Sequence, residues 1–159
     1  MIFKLDWKKL IVSLLIPLAV GGLSAFITPG DMDIYTKIER PPLSPPGKLF
    51  PIVWSILYFL MGVSLYIIWN SRARSDEKRS AFIFFALQLF MNFIWSPIFF
   101  SMQQYLLGFV VLVILWIFII AMIISFKRIS PIAAYLQIPY LLWVTFAGYL
   151  NLGIYILNR

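Results

Sequence analysis

The residues of this chain that could do chemistry inside a helical framework are uncharged. Gln88, Asn92, Trp95 and Phe99 follow one another at intervals of four, three and four; Pro139, Trp143, Ala147 and Asn151 recur every four; Trp54 and Tyr58 are likewise four apart. On a helix each set shares one face. Indoles, a phenol and primary amides brought together in this way make flat apolar walls with a few orienting polar groups, and Ala147 leaves room between them. Such a pocket suits a large planar apolar ligand. A buried amide in apolar surroundings needs a partner, so Asn92 and Asn151 either bond across helices or face a ligand, and both readings stand. Other chemistries are excluded by composition. The chain has no His and no Cys, which removes disulfides, thiol catalysis, zinc sites and the usual axial ligand of haem. No metal is expected and no cofactor is expected to be required.

The elements that must position these side chains are membrane helices. Leu10–Gly30, Leu49–Ser71, Ser80–Phe126 and Ile129–Asn158 contain no charged residue. Crossing the roughly 30 Å hydrocarbon layer takes about 20 apolar residues, so the third stretch holds two helices and the others one each. The expected fold is all-α: a single domain over 1–159, a five-helix transmembrane bundle with helices at about 8–28, 50–70, 80–101, 105–126 and 131–157. Its one substantial loop, 29–49, has four prolines (Pro41, Pro42, Pro45 and Pro46) and is expected to be an ordered cap. The 62% hydrophobic content and mean hydropathy of +0.93 agree, because a soluble domain of 159 residues could not bury so much apolar surface. The first stretch reaches spanning length without a clear cleavage site and reads as a retained helix.

No span contains Asp, Glu, Lys or Arg, which argues against an ion-coupled pump. The net charge of +7 does not indicate nucleic acid, since the cations sit at helix ends rather than in a patch interleaved with aromatics. Lys4, Lys8, Lys9, Arg72, Arg74, Lys78, Arg79, Lys127 and Arg128 fall on one side of a five-span topology. Lys37, Arg40, Lys48 and Arg159 fall on the other. The positive-inside rule then puts the N-terminus in the cytoplasm, and the first loop and C-terminus outside. Trp7 and Trp69 read as interfacial belt residues, whereas Trp95 and Trp143 lie too deep for that role. Pro17, Pro97 and Pro139 are interior to their helices and are expected to bend them. Gly21, Gly22 and Ala25 read as a small face for close helix contact.

The longer motifs carry a resemblance. Pro45-Pro46-Gly47-x-x-Phe50-x-x-Val53-Trp54-x-x-Leu57-Tyr58, then Gln88-Leu89-x-x-Asn92-x-x-Trp95-Ser96-Pro97-x-Phe99-Phe100, then Pro139-Tyr140-x-x-Trp143-x-x-Phe146-Ala147-x-x-Leu150-Asn151 are similar to the signature blocks of the translocator protein family. That family is also called TspO, tryptophan-rich sensory protein or peripheral-type benzodiazepine receptor. The resemblance implies a five-helix bundle, often a homodimer, in a bacterial cell membrane for a bacterial member. It also implies binding of porphyrins and of hydrophobic isoquinoline carboxamide or benzodiazepine ligands in a pocket capped by the first loop. The family's pocket positions correspond to Tyr35, Pro45, Trp54, Asn92, Trp95, Trp143, Ala147, Leu150 and Asn151, and the shared helix faces add Tyr58, Gln88 and Phe146. There are departures. Arg40-Pro41-Pro42-Leu43 stands where an indole is usual in the loop, and Leu106, Leu107 and Gly108 stand where mammalian members place a Trp. Leu150-x4-Tyr155-x3-Arg159 only loosely fits a sterol pattern.

Three functions are compatible with these residues. The first is a receptor or sensor that binds a tetrapyrrole. The second is an enzyme that degrades protoporphyrin with light and dioxygen, as some members are reported to do, with Trp54 and Trp143 as indole electron donors. The third is a carrier of tetrapyrrole or lipid. The absence of His favours metal-free porphyrin, as ligand or substrate, over iron-ligated haem.

Overall fold

The structure, a computed structural model, describes residues 4–28 and 31–159, without the side chains of residues 31 and 32. The described residues form helices and turns only: α1 Trp7–Ile27, α2 Asp31–Lys37, α3 Leu49–Trp69, α4 Ser75–Ser96, α5 Tyr105–Ile129, α6 Pro131–Tyr135 and α7 Ile138–Asn158, with a π-helical turn at Pro97–Ser101. Five segments are long and apolar enough to span a membrane: Trp7–Ile27, Leu49–Trp69, Ser75–Ser101, Tyr105–Ile129 and Pro131–Asn158. This is the five-helix all-α bundle expected from the uncharged stretches. The chain is an integral membrane protein.

The spans close into a ring. α1 packs on α3 and α4, α3 meets α6, α6 and α7 pack on α5, and α5 packs on α4. The half of the ring far from the first loop is solid. Met61, Ile68, Ala81, Ile119, Met122, Phe126 and Ala133 there have no exposed surface, and the Phe85 and Phe126 rings stack at 6.4 Å. Where α1 crosses α3, Pro17 lacks the N–H that would bond the Ser13 carbonyl, and Gly62 of α3 fits against that carbonyl and the Leu14 backbone.

Three helix boundaries differ from the expectation. α4 begins at Ser75 rather than about 80, because Asp76 and Glu77 suit the positive end of a helix although they are too polar to register as span. The fifth span is two helices, not one. Pro139 has no N–H for the Tyr135 carbonyl, and the helix stops at Tyr135 and restarts at Ile138. The buried Gln137 sits in the break, where its Nε2 donates to the Leu60 carbonyl at 3.2 Å and to Ser64 Oγ at 2.6 Å. Pro97 opens the π-helical turn, in which Met102 N donates to the Pro97 carbonyl at 2.9 Å.

The first loop is ordered over its described residues. It contains α2 and then turns that are pinned to α7. Glu39 and the Asn158 amide exchange two hydrogen bonds, of 3.0 and 2.8 Å. Tyr149 Oη donates to the Pro42 carbonyl at 2.8 Å. Pro41 lies so close to Gly153 that a Cβ there would meet its ring at 2.7 Å. Leu43, at the position where the family's loop usually carries an indole, points away from the bundle and is 83% exposed.

Candidate ligand cavity

The loop end of the ring is hollow. A cavity of about 350 Å³ lies beneath α2, lined from α1, α2, α3, the α4 segment with its π turn, and α7. Its walls are aromatic: Trp54 stacks on Tyr58 at 5.6 Å and Trp95 on Phe99 at 5.0 Å, with Tyr35, Phe50 and Phe100 closing the loop side. Among the described residues, no charged one lines it. Tyr35, the roof, is 3% exposed and its hydroxyl donates to the Pro45 carbonyl at 2.6 Å.

Of the residues expected at the site, Tyr35, Trp54, Tyr58, Asn92, Trp95, Ala147, Leu150 and Asn151 line this cavity together. Pro45, Gln88, Trp143 and Phe146 do not. Pro45 lies behind the roof and holds it through its carbonyl. Gln88 is wholly buried below the cavity floor, in the hydrogen-bonded chain described next. Trp143 stands behind Phe50, with centroids 5.7 Å apart, and its other neighbour is Phe146 at the same distance. A spacing of four from Pro139 puts Trp143 on the right side of α7, but Phe50 takes the place facing the void. The sequence reading missed the contribution of α1, whose Gly21, Gly22 and Ala25 line the cavity. It also missed Phe50, Pro51, Ser55 and Ile154. Phe50 stands in the motif around Trp54 and could have been read from it.

The amides bond across helices, and Asn92 and Asn151 also border the cavity. Tyr58 Oη donates to Asn92 Oδ1 at 2.8 Å, Asn92 Nδ2 donates to Tyr140 Oη at 2.7 Å, and Tyr140 Oη donates to Gln88 Oε1 at 2.7 Å. This chain joins α3, α4 and α7 under the cavity. Nearer the loop, Trp95 Nε1 donates to Asn151 Oδ1 at 3.0 Å and Asn151 Nδ2 to the Tyr105 carbonyl at 2.7 Å. Gly108 packs tightly beside that pair, since a Cβ would meet Asn151 Oδ1 at 3.1 Å. A Trp at position 108 would have no space. Each amide nitrogen has a second N–H that these bonds do not use, a spare donor on a residue that lines the cavity.

Tyr140→Phe should cost about 1 to 2 kcal/mol of stability, because it leaves buried Asn92 and Gln88 groups without partners. Tyr149→Phe, which frees an exposed carbonyl, is the control. Denaturation in detergent with equal midpoints for the two variants would contradict the buried chain's structural weight.

The fold and cavity together define a small polytopic helical membrane protein with an aromatic cavity. A sequence profile described as the TspO/MBR family matches residues 13–157. The chain is 42% identical over 142 residues to "Tryptophan-rich protein TspO" of Chlorobaculum tepidum, covering 89% of this chain and 90% of that one. It is 40% identical over 151 residues to the protein of the same name from Archaeoglobus fulgidus, covering 94% and 97%. With "Translocator protein" of Bos taurus it shares 33% identity over 147 residues, covering 91% and 87%. This chain belongs to the TspO/MBR family.

Proposed function

We propose that this protein is a membrane receptor for planar, largely apolar ligands, with protoporphyrin-type tetrapyrroles as the natural class and isoquinoline carboxamide or benzodiazepine compounds as synthetic ones. The observation that carries this reading is the cavity of about 350 Å³ walled by Trp54, Tyr58, Trp95 and Phe99, with no charged residue among its described lining. That volume lies at the lower end of the roughly 300–1,000 Å³ typical of ligand sites, and its walls stack on flat rings. A drug-sized carboxamide supplies one acceptor for the spare amide N–H groups. A tetrapyrrole brings carboxylates as well, and a cation stands at the roof: the Arg40 guanidinium lies 4.6 Å over the Tyr35 ring. The test is titration of the protein in nanodiscs with protoporphyrin, followed by tryptophan quenching. Saturation at a fixed stoichiometry, displaced by an isoquinoline carboxamide, is expected; uptake no different from that of empty nanodiscs would overturn the reading.

A second reading, light- and dioxygen-dependent degradation of the bound porphyrin, is favoured by one placement. Trp54 lines the cavity, stacked on Tyr58 and edge-on to Tyr140 at 6.3 Å, so an oxidisable indole borders the ligand space. Trp143 is separated from that space by Phe50. Trp54→Phe should therefore slow light-dependent pigment loss, with Trp95 the other indole in the lining, whereas Trp143→Phe should leave most of it. Equal bleaching by wild type and a Trp54→Phe, Trp95→Phe double variant would remove the enzymatic reading and leave the receptor reading standing.

A further inference from the structure

We infer that the cavity exchanges its ligand with the bilayer, through a side window between α1 and α3, and not with water through the loop; this rests on the receptor reading above. Among the described residues, the cavity-lining positions that are themselves exposed are Leu18, Gly22 and Ala25 on α1 and Pro51 and Ser55 on α3. Those from α2, α4, the π turn and α7 are buried or half-buried. The hollow thus reaches the molecular surface along one seam. At Gly22 the seam is unobstructed, since a Cβ there would meet nothing within 4 Å.

The seam lies at membrane depth. Gly22 stands about 8 Å along α1 from its end at Ile27, and Ser55 about 9 Å along α3 from its start at Leu49, at 1.5 Å per residue. The surrounding surface is lipid-facing in character: Leu23, Phe26, Ile52, Ile56 and Phe59 are each at least half exposed. The one hydroxyl at the rim, that of Ser55, is satisfied by its own helix, donating to the Pro51 carbonyl at 2.7 Å. An apolar ligand dissolved in the hydrocarbon layer therefore meets no unsatisfied Ser55 hydroxyl at the rim. Among the described residues, the loop route is shut by contrast. Tyr35, Phe99 and Ile154 are at most 3% exposed, and the Glu39–Asn158, Tyr149–Pro42 and Pro41–Gly153 contacts pin the loop to α7. The ligand class implied is one that partitions into membranes before it binds.

The test compares two obstructions in nanodisc-embedded protein, with protoporphyrin as the probe. Gly22→Phe places a ring in the window and should slow both association and dissociation by about tenfold or more. Closing the loop instead, with a bifunctional thiol reagent across E39C and N158C in this cysteine-free chain, should leave both rates unchanged. A blocked cross-linked protein, or Gly22→Phe exchanging at the wild-type rate, would overturn the window. If the wild type takes up no protoporphyrin, it is the receptor reading that fails. The window is then judged by a nitroxide on S55C, which should be relaxed by dioxygen and not by a water-soluble nickel chelate; the reverse pattern would refute it.

Discussion

Ala147→Leu should weaken binding of a rigid planar ligand by about 1 to 3 kcal/mol, roughly five- to 150-fold in dissociation constant, while leaving the protein at least as stable as wild type. Ala147 is 8% exposed and its methyl group borders the cavity, so the added carbons enter space that the ligand needs. In the empty protein the same carbons gain contacts with the aromatic walls, since a void provides no partner atoms for its lining. The two readouts move in opposite directions. Titration with an isoquinoline carboxamide and a detergent melting curve on the same preparation check both, and unchanged affinity would place the ligand elsewhere.

Gly62→Ala should have the largest effect on stability among glycine-to-alanine changes on the described helices, a loss of about 1 to 3 kcal/mol. Its new Cβ would lie 2.7 Å from Leu14 Cα and 2.9 Å from the Ser13 carbonyl oxygen, and backbone atoms cannot rotate aside. α1 and α3 would have to separate along the seam that also forms the window. Gly148→Ala meets nothing within 4 Å and should be neutral or slightly stabilising, in line with helix propensity. Unfolding in a denaturing detergent orders the pair. A Gly62→Ala protein as stable as Gly148→Ala would mean that the α1–α3 crossing is looser than its geometry indicates.

The spans could be read from sequence because hydrocarbon imposes a length and excludes charge, and both constraints act residue by residue. The Gln88–Asn92–Trp95–Phe99 face could be read for a similar reason: a period near 3.6 places side chains on one side of a helix whatever it packs against. What periodicity does not encode is which neighbour fills the space in front of a face. Trp143 shares its side of α7 with Ala147 and Asn151, yet Phe50 from α3 stands between it and the void. Gln88 continues the Asn92 face one turn down, where the bundle is already closed and Tyr140 occupies its acceptor. Small residues are ambiguous in a different way. Gly21 and Gly22 are adjacent and alike in sequence, but a Cβ on Gly21 would strike the Tyr58 ring at 2.3 Å whereas one on Gly22 would touch nothing. The first is a contact and the second an opening. Pro139 was expected to bend a helix that it instead divides, because Gln137 supplies hydrogen bonds that stabilise the break.

The central claim, that ligand occupies the aromatic cavity beneath the first loop, is tested most directly by where a bound molecule touches the chain. An isoquinoline carboxamide carrying a small diazirine can be photolysed in the nanodisc-embedded protein and its adducts mapped by peptide mass. The account predicts adducts on cavity-lining residues of α1, α3 and α7, such as Leu18, Trp54 and Leu150, that an excess of unlabelled protoporphyrin suppresses. Adducts confined to the outer α5–α7 groove around Trp116 and Leu152, undiminished by protoporphyrin, would contradict it.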